Sequence, residues 1–174
     1  MPARMTLREQ LELRAGALAT IRRFFAAREV LEVETPALST AAATDPMLES
    51  LSCELDSPPG RHYLQTSPEH AMKRLLAAGS GDIFQVARVY RGGELGRWHQ
   101  PEFTLLEWYR IGFDEFDLMA EVHELLALLL ADPTGNLPRL DLRFADAFES
   151  AFGVDALYLD AGAHARLVEA LESR

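Results

Sequence analysis

Apolar residues recur at helical spacing near the start of the chain: Leu7, Leu11, Leu18, Ile21 and Phe25 share one face. Thr6 and Glu9 have capping-box spacing, so a helix is predicted from there to about residue 28. The run VLEVETP follows, and Pro36 stops it. Residues 39–45 are small and polar and read as a loop. Short strands are expected at 51–55 and 63–65, with Ser57-Pro58-Pro59-Gly60 as the turn between them. Pro68 suits the first position of a helix capped by Ser67 and ended by Gly79. Residues 83–91 and 102–111 read as paired antiparallel strands. Asp114 caps an amphipathic helix reaching residue 131. A linker-like turn at 132–138 then leads to helices near 145–152 and 161–172. Helices mixed with short hairpins predict an α+β fold built on an antiparallel sheet.

Composition narrows the class. A chain of 174 residues with 48% hydrophobic content predicts one globular domain with a sizeable core. Net charge −10 and a pI near 4.9 argue against broad nucleic-acid or membrane-surface binding, while leaving room for a local basic site. With Cys53 as the single cysteine, no internal disulfide forms, and a small buried hydrophobe is its plainest role. The apolar run LLALLLA at 125–131 is too short to cross a bilayer, and no signal peptide is visible, so the expected compartment is the cytoplasm. Lys73 is the only lysine. The five histidines are scattered without HExxH spacing, which disfavours a dedicated zinc site. No GxGxxG, Walker lysine or GxSxG motif occurs, so any nucleotide site uses another architecture.

The densest chemistry lies between Val89 and Arg110, in VYRGGELGRWHQPEFTLLEWYR. Arg91 offers a cation for a phosphate. Gly92, Gly93 and Gly96 let the backbone turn and approach a ligand. Strand alternation puts Phe103, Leu105, Glu107 and Tyr109 on one face. Glu102, Thr104, Leu106, Trp108 and Arg110 take the other. An aromatic strand is most often plain core. Two features speak for a site here. Glu107 sits among apolar neighbours, where an unpaired carboxylate is costly. Arg88, Arg91, Arg97 and Arg110 also gather in an otherwise acidic chain.

These residues carry a family resemblance. FFAAREVLEVETPAL, residues 24–38, resembles motif 1 of the class II aminoacyl-tRNA synthetases. RGGELGRWHQPEF, within residues 89–103, resembles motif 2, and TSPEHAMKRLLAAG resembles the segment between them in the lysine enzymes. PEFTLLEWY matches closely, and the four segments stand in family-like order over about residues 11–130. The first helix begins almost at Met1, with no OB-fold anticodon domain before it, so the stand-alone paralogues that aminoacylate elongation factor P are the nearer likeness. The resemblance implies a class II fold, an antiparallel sheet flanked by helices. It implies a homodimer built on motif 1, and use of ATP with Mg²⁺. It further implies adenylation of lysine or β-lysine, then transfer to a lysine side chain of elongation factor P, without tRNA.

Roles follow by the same resemblance. Arg91 bridges the substrate carboxylate and the α-phosphate; its plain alternative is an ion pair with Glu94. His99 approaches the distal phosphates, or is simply a loop residue. Phe103 stacks on adenine, or is core. Glu69 holds the α-ammonium, or is a first-turn carboxylate favoured by the helix dipole. Glu107 and Tyr109 recognise the substrate's amino groups, or form a buried ion pair and a core tyrosine. Ser67 lines the pocket wall, or only caps a helix.

Three departures stand out. Motif 2 usually reads Arg-x-Glu, but Gly93 holds that glutamate's place and Glu94 comes one residue later. Glu94 is therefore the candidate ATP contact. Motif 1 usually has glycine where Glu29 stands, at a helix end that prefers it. Motif 3, with its phosphate arginine and metal-binding carboxylates, is not among the 174 residues, so they are expected to form an incomplete catalytic domain, a poor or inactive ligase alone. A catalytic piece of a lysine–tRNA ligase, and a non-catalytic dimerising or amino-acid-binding module, are the alternatives.

Overall fold

The capping box at Thr6 forms. In the computed structural model, which describes residues 5–130, 137–155, 157 and 160–172, Glu9 accepts the Thr6 N–H at 2.7 Å and returns its own N–H to Thr6 Oγ1. Helix α1 runs Leu7–Ala26. It ends through Glu29, whose φ of 56° makes it the one non-glycine residue with positive φ among those described. Val30 N–H reaches back to Phe25 O at 3.1 Å and Glu29 N–H to Ala26 O at 3.2 Å, a Schellman closure. Glutamate thus occupies the conformation for which the motif prefers glycine.

Strands β1 (Leu31–Glu32), β2 (Leu38–Ser39), β3 (Ser52–Asp56) and β4 (Pro59–Leu64) follow, then α2 (Glu69–Ala77), β5 (Ile83–Tyr90), β6 (Glu102–Tyr109) and α3 (Glu115–Leu129). Three expectations are corrected here. There are two three-stranded sheets, ordered β1-β5-β6 and β2-β4-β3, and the first is mixed because β1 runs parallel to β5. The hairpin is tighter than expected: β4 starts at Pro59, leaving Ser57 and Pro58 as the turn, and Ser39 pairs in β2 rather than lying in a loop. Pro68 stands at the N-cap rather than the first helical position, and Ser67 Oγ accepts the Glu69 N–H only at 3.4 Å. Gly79 does end α2, with φ 87° and a Schellman pair to Leu75 and Leu76 carbonyls.

The pairing of β5 with β6 is as expected, running from Ile83↔Tyr109 to Tyr90↔Glu102. One face of this pair makes the core. Phe84, Val86, Leu106 and Trp108 pack against Phe24 and Phe25 of α1, Val30 just after it, and Leu125 and Leu129 of α3. Phe25 is fully buried and stacks on Phe84 with ring centres 4.5 Å apart. The opposite face carries Phe103, Leu105, Glu107 and Tyr109, as alternation requires.

Residues 1–131 and 132–174 form two separate units. In the second, α4 (Phe144–Phe152) stacks Phe144, Phe148 and Phe152 along one side, and Gly153 closes it at φ 69°. Helix α5 (Ala161–Glu172) follows. The linker expected at 132–138 lies largely outside the described residues. No helix among the described residues is long and apolar enough to cross a membrane.

Candidate functional site

Motif 2-like geometry starts at the end of β5. Gly92 N–H donates to Glu49 O at 2.8 Å and Arg91 N–H to Pro101 O at 2.9 Å, which fixes the bend. Arg91 Nε donates to the carbonyl of buried Thr66 at 3.3 Å, and its guanidinium carbon lies 5.1 Å from the Phe103 ring centre. The expected alternative, an ion pair with Glu94, does not form. Among the described residues no carboxylate pairs with Arg91, so an uncommitted guanidinium faces the same surface as the Phe103 ring. Such a fork suits a carboxylate or phosphate.

Glu107 and Tyr109 sit four and six residues beyond Phe103 on the same face. The Tyr109 hydroxyl donates to Glu107 Oε1 at 2.7 Å. Burial raises the Glu107 carboxyl above its ordinary 4.5, Tyr109 partly offsets this, and the charge of Glu69 raises it further. Lys73 and His70 pull the other way. Burial, then the neighbouring carboxylate, pushes the Tyr109 phenol well up, so it remains a donor. Glu69, in the first turn of α2, binds Lys73 Nζ at 2.6 Å, and that contact lowers its carboxyl. Lys73 thus reaches Glu69 and not Glu107, whose one hydrogen-bond partner among the described residues is the Tyr109 hydroxyl, and a half-buried carboxylate without a cation fits a cationic ligand. Gln85, 5% exposed, lies directly across the sheet from Glu107 and accepts from Thr35.

An open cleft of about 330 Å³ adjoins α2, lined by Ser39, Asp45, Tyr63, Ser67, Glu69 and Arg74 among others. It reaches only the α2 end of the constellation; Arg91, Phe103, Glu107 and Tyr109 do not line it. The polar groups, linked by hydrogen bond and charge and mostly outside this cleft, make the better candidate site.

Two sequence candidates stay apart from this cluster. Glu94 is half-buried and His99 exposed, and among the described residues neither side chain has a partner. The arginines do not gather as expected either. Arg88 pairs on the surface with Glu102, Arg97 lies over the exposed Trp98, and Arg110 is buried against Asp82 and Glu121.

Sequence reasoning missed Glu49, Lys73 and Thr66. Glu49's carboxylate carbon lies 2.7 Å from where a Gly92 Cβ would stand, and its Oε2 lies 3.4 Å from that of Gly93. The two glycines therefore make room for a carboxylate from another segment, beside the position where the usual motif 2 glutamate is absent. Nothing local in the sequence pointed to Glu49. For Lys73 a signal existed: it stands four residues after Glu69, the spacing of a helical ion pair.

Comparison with known proteins gives the family. The chain matches the model of tRNA synthetases class II (D, K and N) over residues 2–156. It is 52% identical over 151 residues to the elongation factor P–(R)-β-lysine ligase of Pseudoalteromonas translucida, which covers 84% of this chain and 45% of that protein. The ligase of the same name from Vibrio vulnificus is 51% identical over 150 residues, covering 84% and 45%. That of Pectobacterium atrosepticum is 46% identical over 163 residues, covering 91% and 48%. The chain spans about half the length of these curated relatives. With the family model matching most of its length, this chain belongs to the class II tRNA synthetase family, in the group of the D, K and N enzymes.

Proposed function

We propose that this chain carries substrate-binding elements of an ATP-dependent ligase that activates lysine or β-lysine as an adenylate and passes it to a lysine side chain of elongation factor P. The observation that carries this reading is the Arg91 guanidinium, held by Thr66 O and the Phe103 ring and by no carboxylate among the described residues. Adenylation brings a carboxylate to the α-phosphate of ATP. Two anions must meet, so positioning and charge supply most of the catalysis. Arg91 bridges them, and Phe103 offers its face to adenine. Glu69 receives the α-ammonium, Glu107 and Tyr109 the side-chain ammonium, and Ser67 lines the approach. Glu94 and His99 contact ATP from the loop. Magnesium would enter with the ATP phosphates. Among the described residues no group of three metal-ligating side chains stands ready for it, and no step here is routed through it.

The test is lysine-dependent ATP–pyrophosphate exchange by the Vibrio vulnificus ligase with its matching half replaced by this chain. Arg91→Ala in that chimera lowers exchange about 100- to 1000-fold, the scale for losing one preorganised donor. An unchanged rate contradicts the assignment.

A further inference from the structure

The only lysine of the chain stands inside the proposed amino-acid site. Lys73 Nζ binds Glu69 Oε1 at 2.6 Å, one helical turn away. Its charge also bears on Glu107 of β6. Both members of the pair are accessible, with side-chain exposures of 57% and 46%. An accessible pair one turn apart on a helix is weak and exchanges readily. Lysine's ammonium rides on a flexible four-carbon stem, so it can leave without moving the helix.

We propose that Lys73 is the resident cation of this site: in the empty protein its ammonium holds Glu69, and the ammonium of an incoming diamino acid takes that carboxylate from it. The proposal rests on the amino-acid reading of Glu69, Glu107 and Tyr109. The substrate then exchanges two ammoniums for one at two carboxylates. Lys73 keeps Glu69 charged and correctly turned until the ligand arrives. A monoamino acid would displace the same ion pair while leaving Glu107 without a cation, so this exchange also favours substrates with a second amino group.

Being the only lysine, Lys73 gives a single, unambiguous signal. The protein is labelled with ¹³C-lysine and ¹⁵N backbone and titrated with unlabelled L-lysine, under nuclear magnetic resonance. The Lys73 Cε–Hε cross-peak is expected to move to its solvent-exposed position with the same midpoint as the amides of Glu107 and Tyr109. Lys73→Met is expected to tighten L-lysine binding about 1.4- to fivefold, the range set by an exposed ion pair of about 0.2–1 kcal/mol. A Lys73 signal that stays fixed while the Glu107 and Tyr109 amides move overturns this proposal and leaves the site reading standing. So does weaker binding by Lys73→Met, which would make Lys73 part of the substrate cradle. Amides that do not move at saturating L-lysine overturn both.

Discussion

Glu107 decides what the site can hold. It is a half-buried carboxylate with one hydrogen-bond donor, Tyr109, and a second carboxylate nearby. Burial costs such a group its hydration, and one phenol does not restore it. A ligand ammonium would. Because burial raises its pKa in the folded chain, ligand-free Glu107 favours folding when protonated. Its contribution is therefore lost as pH rises from the unfolded value of 4.5 through the raised folded value. Glu69, lowered by Lys73, works in the opposite sense and loses its contribution as pH falls. In the proposed site lysine meets the Glu107 anion, so affinity should fall on acidification at a midpoint above 4.5. Calorimetric titration across that range checks this, and Glu107→Gln should bind weakly with a flat profile. A midpoint at or below the ordinary glutamate value would mean that Glu107 does not face the ligand.

At the scale of elements, β6 is held from behind so that its front face can be polar. Arg110, 11% exposed at its side chain, lies 3.0 Å from Asp82 and 3.3 Å from Glu121. Its Nε and Nη1 approach these carboxylates as charges without hydrogen-bonding alignment. Glu121, 5% exposed on the inner side of α3, also accepts from Trp108 Nε1 at 2.9 Å. Glu121→Ala leaves Arg110 with Asp82 alone and the Trp108 indole N–H without its acceptor, and should cost about 1–3 kcal/mol, read as a lower denaturant midpoint. A loss under about 1 kcal/mol would show that Arg110 finds water instead.

This network explains what the sequence could and could not tell. The helices of the first unit, the β5–β6 pair and the two faces of β6 were legible because period and capping are local: Thr6 with Glu9, Asp114 before Phe116, Phe103 alternating to Tyr109. Arg110 falls on the core face by the same alternation, but its partner Glu121 lies on another element. Periodicity cannot show a charge turned inward to meet another. Parallel pairing of β1 with β5 involves two residues on a strand far off in sequence, too few to leave a pattern. Glu49 escaped notice for the same reason. Its meeting with Gly92 joins two loops, and the only local trace was the glycine pair itself.

At the scale of the whole molecule, the first unit leaves several large apolar side chains exposed among the described residues. Leu7, Leu11 and Leu13 on α1 are 71%, 58% and 63% exposed, and Leu31 on β1 is 58% exposed. Leu31 lies within the motif 1-like segment, and the other three lie on the helix that leads into it. We propose that a second copy covers them around a two-fold axis, since such contacts are self-complementary. Light scattering should then show a dimer at micromolar concentration that Leu11→Glu dissociates. A well-folded wild-type monomer under those conditions would count against it.

The central claim is that Arg91, Phe103, Glu69, Glu107 and Tyr109 form one site for an activated diamino acid. Titration of the chain with a non-hydrolysable lysyl-adenylate analogue tests it most directly, because that single ligand spans all five residues. The account predicts saturable binding to the wild type. Arg91→Ala and Glu107→Gln each weaken it at least tenfold, consistent with loss of a charge-assisted hydrogen bond of about 1.5–3 kcal/mol, and the leucyl analogue binds at least as poorly as those variants bind the lysyl one. Equal affinity for the lysyl and leucyl analogues, or binding indifferent to both substitutions, would contradict it.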